Sequence, residues 1–203
     1  MIEVIGLNKQ FSDNVVFKDY SKVFSDQKGC IEAPNGQGKT TLLMMLAGLE
    51  KPQSGSLLFA GNRLSTPTKT VAIASDRIAL PDFLTANQII DLSVNTLGYD
   101  WPHSLVNGFN FNAFLNTRFE ALSSGNQKKC QLILALMRKS PYLLLDEPSA
   151  ALDQTSILYL LSQLDAYLAD KPNGQISLLA MSQLYLLSMA LSVSRYEYHK
   201  RKK

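Results

Sequence analysis

The run APNGQGKTT, Ala33 to Thr41, sets two glycines, a lysine and two hydroxyls in an order suited to holding phosphate. Gly36 and Gly38 let the backbone curl so that successive N–H groups point inward, and Lys39 adds a mobile cation. A helix starting at Lys39 turns its positive end toward the same anion. Thr40 offers a hydroxyl to Mg²⁺, and Asn35 and Thr41 complete the candidate phosphate-binding set. The pattern G-x-x-x-x-G-K-S/T asks for glycine where Ala33 stands. That position closes a turn, and alanine suffices unless the backbone there needs a positive φ. The bland alternative is a glycine-rich turn with a chance lysine.

A second group lies far downstream, in YLLLDEPSAALD. An apolar strand over Tyr142 to Leu145 would deliver Asp146 to the carboxyl edge of a sheet, where ligands bind in open α/β folds. There Asp146 can hold Mg²⁺ or its water beside Thr40. Glu147, one position on, can reach a water attacking a terminal phosphate, and Pro148 stops the strand. The competing reading is a strand that ends in solvated acids.

These groups meet only if the chain between them builds a sheet. Short runs of β formers at Ile2 to Leu7, Cys30 to Glu32, Leu57 to Ala60, Val71 to Ala74, Tyr142 to Leu145 and Ile176 to Met181 alternate with helical patterns. The helices are expected at Lys39 to Leu49, Ala86 to Asn95, Asn126 to Arg138, Gln154 to Ala169 and Leu184 to Leu191. That alternation implies α/β with parallel strands in the middle. From Pro81 to Ser140 no strand pattern occurs, so a helical insert is expected. The helix after Asn126 is apolar on every face, as a buried helix is.

Composition narrows the classes. With 203 residues, 46% hydrophobic and 18% charged, the chain fits one globular domain without repeats. No apolar run reaches the eighteen or so residues that span a bilayer. MIEVIGLNKQ lacks a charged n-region followed by an apolar stretch, so a cytoplasmic chain is expected. Cys30 and Cys130 lack metal-ligand spacing and read as buried apolar residues. The four cations of the tail, Lys200 to Lys203, exceed the whole net charge of +3, so the body is not basic and a nucleic-acid groove is not expected. That tail can touch anionic lipid or stay solvated.

A third motif names a family. LSSGNQKK, Leu122 to Lys129, precedes the acidic strand and resembles L-S-G-G-Q, the signature of ABC-type ATPases, the nucleotide-binding subunits of ATP-binding-cassette transporters. No other common phosphate-loop class carries it. Ser123 and the N–H groups around Gly125 would stand at a helix N-terminus, itself an anion site. The resemblance extends over nearly the whole chain: Phe11 matches the aromatic that stacks on adenine, AGLEKPQSGSLLFAGNRL the stretch after the phosphate loop, and SAALD the segment whose aspartate lies at a dimer seam.

The resemblance implies a P-loop NTPase core with a mostly parallel central sheet, an N-terminal antiparallel β element and a helical insert. One nucleotide-binding domain would span 1–203, with the α/β core at about 1–78 and 141–203 and the helical subdomain at about 79–140. It implies ATP and Mg²⁺, with Glu147 and Lys39 catalytic, Thr40 and Asp146 on the metal, and Phe11 on the base. Ser123 and Gly125 would act on ATP held by a second ATPase subunit in a head-to-tail homo- or heterodimer. The helical subdomain would meet a separate transmembrane permease subunit, placing the chain peripherally on the cytoplasmic face of the membrane.

Departures from the pattern bear on rate. Ser124 and Asn126 replace a glycine and the glutamine of the signature, tolerably. Asp76 stands at the position of a glutamine between core and insert, where it can touch Mg²⁺ or its water but is shorter and charged. Ser182 stands where a switch histidine is expected; if that group stabilises the transition state, its loss costs on the order of 10²- to 10³-fold in rate. The expected function is ATP hydrolysis driving a compact bacterial exporter, at slow turnover. The alternative is a degenerate ATP-holding partner in a heterodimer, and a soluble ABC ATPase of DNA repair or translation is the third reading.

Overall fold

The structure, a computed structural model, describes residues 1–169, 176–181 and 194–197. Strands β1 (Ile2–Phe11), β2 (Asn14–Phe24) and β4 (Ser54–Phe59) form an antiparallel sheet in the order β2-β1-β4. Strands β3 (Lys28–Glu32), β5 (Val71–Ala74), β6 (Tyr142–Asp146), β7 (Ile176–Met181) and β8 (Ser194–Glu197) form a second sheet, ordered β5-β6-β7-β3-β8, in which every pair is parallel. Every residue of β6 is buried, which is why a strand covered on both faces reads as the unbroken apolar run YLLL. The expected α/β architecture, with an antiparallel N-terminal element and a mostly parallel core, is the one observed.

Helices α1 (Lys39–Leu46), α2 (Pro67–Thr70), α3 (Ala86–Leu97), α4 (His103–Gly108), α5 (Ser124–Leu136) and α6 (Gln154–Ala169) complete the described elements, with two short 3-10 turns at Asn112–Phe114 and Phe119–Ala121. Local chemistry sets their ends. Thr85 and Gln88 make a reciprocal capping box on α3, and Gly98 closes it in the left-handed region at φ 70. α1 stops three residues short of the expected Leu49, where Gly48 takes φ 74. α5 begins two residues before the expected Asn126 because the Ser123 hydroxyl accepts the Asn126 N–H and caps the helix.

Two cores hold the layers together. Leu42, Leu43 and Leu46 of α1 pack with Ile2, Val4, Leu7 and Phe24 of the antiparallel sheet and with Ile31 and Leu144 of the parallel one. On the other side, Ile89 and Ile90 of α3, Leu105 and Val106 of α4, Leu132 and Ile133 of α5 and Leu160 of α6 share a core with Leu143 and Leu145. α5 thus lies against the sheet, as its all-round apolar pattern requires.

Strand β2 was not expected from the sequence, because Lys18, Asp19, Ser21 and Lys22 interrupt its apolar residues. It buries Val16, Phe17 and Phe24 while the intervening stretch stays largely exposed. The strand expected at Leu57 to Ala60 starts earlier, at Ser54, and pairs antiparallel with β1. The helix expected at Leu184 to Leu191 and the basic tail lie outside the described residues.

Candidate nucleotide site

Parallel pairing carries the carboxyl ends of β3 and β6 to the same edge of the sheet, with β7 between them. The phosphate loop, 33–38, leaves β3 there and runs into α1. Gly36 and Gly38 take φ 77 and 92, a region that side chains rarely enter, whereas Ala33 is not among the positive-φ residues, so alanine fits its place. At Gly38 a Cβ would also stand 2.4 Å from Val16 Cγ1. The Lys39 ammonium, on a side chain only 6% exposed, donates to the carbonyls of Ala33 at 2.6 Å and Pro34 at 3.2 Å. Asn35 is exposed on the loop, and Thr41 is half-buried on α1.

Asp146 ends β6 with its carboxylate buried, and both oxygens are held. The Thr40 hydroxyl donates to Oδ1 at 3.1 Å, and the Ser75 hydroxyl, itself buried at the start of the loop leaving β5, donates to Oδ2 at 2.8 Å. Glu147 follows in the left-handed region at φ 45, the kind of backbone strain that clusters at functional sites. Its Oε1 lies 3.9 Å from the Lys39 ammonium. The two widely separated motifs therefore form one constellation. A hydroxyl and a carboxylate side by side are the oxygen donors a hard cation takes, so these residues fit Mg²⁺.

Other candidates make different contacts. Phe11 ends β1 half-exposed, with the Lys9 ammonium 4.6 Å from its ring centroid. Ser123 and Ser124 are exposed at the start of α5, and Gly125 packs so closely on the turn after β6 that a Cβ there would meet the Ala151 carbonyl at 2.5 Å. Among the described residues no hydrogen bond or ion pair joins Ser123 or Gly125 to Lys39, Thr40, Asp146 or Glu147. Asp76 is exposed but engaged: its Oδ1 lies 2.7 Å from the ammonium of Lys128. Ser182 lies outside the described residues.

Residues not singled out from the sequence complete the surroundings. Ser75 holds Asp146, Lys128 holds Asp76, and Lys129 pairs with Asp153 at 2.8 Å. The signal for the lysines was two charges inside an apolar helix, which is costly unless each finds a partner. Burial pushes the Cys130 thiol up to about 12, in keeping with a packing role. Among the described residues no helix is long and apolar enough to cross a membrane.

A phosphate loop and an acidic strand end on a parallel sheet, with an antiparallel sheet on one side and helices inserted between β5 and β6, define a P-loop nucleotide-binding cassette. The chain belongs to the ABC transporter family, whose model matches residues 22–150. It is 35% identical over 163 residues to the spermidine/putrescine import ATP-binding protein PotA of Spiroplasma citri, covering 75% of this chain and 47% of that protein. The chain thus spans about half the length of that importer subunit. It is 29% identical over 156 residues to the cytochrome c biogenesis ATP-binding export protein CcmA of Maricaulis maris, covering 75% of this chain and 73% of that one. The fold matches a solved ATP-binding subunit of an ABC transporter with TM-score 0.81 at 23% identity, over 98% of this chain and 86% of that one. It matches a bacterial ABC transporter cassette solved as a dimer with TM-score 0.80 at 19% identity, over 97% and 94%. The chain is an ABC transporter ATP-binding subunit, of a family in which both import and export subunits occur.

Proposed function

We propose that this chain binds and hydrolyses MgATP and so drives a separate membrane-embedded permease, with two ATP-binding subunits meeting head to tail. The observation that carries this reading is the contact between Thr40 and Asp146 at 3.1 Å, which joins the phosphate loop to the acidic strand end. Thr40 and Asp146 would hold Mg²⁺, which when bound supplies positive charge against the phosphate oxygens. The loop N–H groups and the start of α1 hold the phosphates, and Lys39 exchanges its loop carbonyls for phosphate oxygen. Glu147 accepts a proton from the attacking water. Phe11 stacks on the base, and Ser123 with the N–H groups near Gly125 contacts the phosphate held by the partner subunit.

Residues 79–140 form the helical unit that meets the permease. A cleft of about 250 Å³ between β5, α3 and α5, lined by Leu49, Val71, Leu80, Leu97 and Leu134, supports a docking place on that side. The run CIEAPNG and the likeness to CcmA favour an exporter, with the chain peripheral on the cytoplasmic face. A second reading, a degenerate ATP-holding partner, is favoured by Asp76, which stands at the glutamine position and is held by Lys128.

Steady-state hydrolysis by the purified chain, with and without Glu147→Gln, separates the two readings. The first expects the variant to lose roughly 10²- to 10⁴-fold in turnover while keeping ATP affinity. Equal rates in both proteins would remove Glu147 as the base. ATP binding with turnover only in the presence of a different cassette would favour the second.

A further inference from the structure

Lys128 carries a charge where the fold least tolerates one. It lies on the sheet-facing part of α5 and is 2% exposed. An ammonium removed from water persists only if its donors are used and its charge is balanced. Two separate strand ends supply the counter-charge and a second acceptor. The Lys128 ammonium is 2.7 Å from Asp76 Oδ1, on the loop after β5, and 3.4 Å from the backbone carbonyl of Asp146, at the end of β6. Asp76 directly follows Ser75, whose hydroxyl donates to the Asp146 carboxylate at 2.8 Å. Helix, loop and strand end are thus closed into one ring: Lys128 to Asp76, along the chain to Ser75, across to Asp146, and back through its carbonyl to Lys128.

We infer that Lys128 is a positioning residue for nucleotide hydrolysis: it clamps the loop bearing Ser75 and Asp76 to the end of β6 and thereby sets the Asp146 carboxylate beside Thr40. The inference rests on the proposed MgATP chemistry for its consequence, though not for the clamp itself. It recasts Asp76, whose carboxylate is committed to the lysine and serves as its counter-ion. A cavity of about 380 Å³ borders the pair, lined by Asp76, Ser124, Gln127, Lys128, Gln131 and Ala151. The clamp therefore sits between the start of α5, the signature end, and the edge that holds phosphate. A shift of α5 would be felt at Asp146 through one ammonium.

The test uses the full chain with Lys128→Met, Lys128→Arg, Asp76→Asn and the double variant Asp76→Asn with Lys128→Met. Denaturant unfolding of the nucleotide-free and metal-free proteins reads the clamp alone. The unfolding constant of the double variant is expected to depart by at least about 3-fold from the product of the single effects. Hydrolysis as a function of Mg²⁺ and ATP reads the consequence. Lys128→Met is expected to lower kcat and to raise the Mg²⁺ concentration for half-activation by roughly 10- to 100-fold, the range seen when a group orienting a metal ligand is lost. KM for ATP should move less than about 3-fold, and Lys128→Arg should recover most of the loss. Asp76→Asn strands the buried Lys128 ammonium, so the double variant, which leaves no buried charge unbalanced, carries the Mg²⁺ readout should a single variant fold poorly. Additive unfolding effects, or an unchanged Mg²⁺ dependence in Lys128→Met, would overturn the inference. Failure of the wild type to bind ATP would sink the proposed function instead, leaving the clamp to be decided by the unfolding cycle.

Discussion

The neighbouring pair, Lys129 with Asp153, makes an unequal prediction about its two halves. Lys129 is nearly dry and Asp153 is not: their side chains are 8% and 57% exposed, with Nζ and Oδ2 2.8 Å apart. Asp153 has a second task. It stands just before α6, where its backbone carbonyl accepts the Ile157 N–H and its Oδ1 accepts the Ser156 N–H at 2.8 Å, the bonding of a helix N-cap. Asp153→Ala therefore strands a buried ammonium and uncaps α6. Lys129→Met removes the charge that needed balancing, fills its space with an apolar chain, and leaves Asp153 wet and still capping.

Magnitudes follow from that asymmetry. Truncating one partner of a fully buried pair costs about 3–5 kcal/mol, but an exposed pair contributes only about 0–1 kcal/mol; with one half in water, about 1–2 kcal/mol is expected. Loss of the cap adds about 1 kcal/mol. Asp153→Ala should then cost about 2–3 kcal/mol, Asp153→Asn, which retains a capping oxygen, about 1–2, and Lys129→Met about 0–1. For a domain of this size each kcal/mol moves Tm by roughly 2–4 °C. The Lys129 ammonium, followed by the Ser156 N–H, holds the Asp153 carboxyl well below its ordinary value of 3.8. The unfolded chain therefore binds the proton more readily, and the stabilisation is fully present above that ordinary value and is lost as the pH falls below it. Urea unfolding at pH 7, 5 and 3 checks both points. Asp153→Asn should flatten the fall in stability between pH 5 and 3. A Lys129→Met variant as unstable as Asp153→Ala, or an unchanged pH slope in Asp153→Asn, would refute the reasoning.

Three further outcomes are expected. Gly125→Ala sets a Cβ 2.5 Å from the Ala151 carbonyl, a backbone atom that cannot swing aside, and should cost about 1–3 kcal/mol in thermal or urea unfolding. Phe11→Ala, at an exposed strand end, should leave Tm nearly unchanged but weaken binding of a fluorescent ATP analogue by about 1–3 kcal/mol, whereas Phe11→Tyr keeps the stacking face. Cys130, fully buried with its thiol pushed up to about 12, should resist a disulfide reagent at pH 8 in the native chain and react promptly in denaturant.

How much of this was legible before the structure depended on whether the information is local. Gly36, Gly38, Lys39 and Thr40 lie within one turn, and an apolar strand ending in Asp146 and followed by Glu147 is read from six residues, so both halves of the candidate nucleotide site are local signals. Their meeting followed from parallel strands alone. What stayed hidden required distant positions to be seen together. β2 carries its charges on exposed or half-buried positions and its apolar residues in two clusters, so alternation is broken and only pairing with β1 reveals it. Ser75 looks like an ordinary residue at a strand end until it is 2.8 Å from Asp146. Asp76, met alone, reads from the sequence as an acid where the resemblance implies a neutral amide. Beside Lys128 it is a counter-ion, because a buried cation on α5 requires an anion at that loop and the loop supplies it. An irregular residue is thus judged by what faces it.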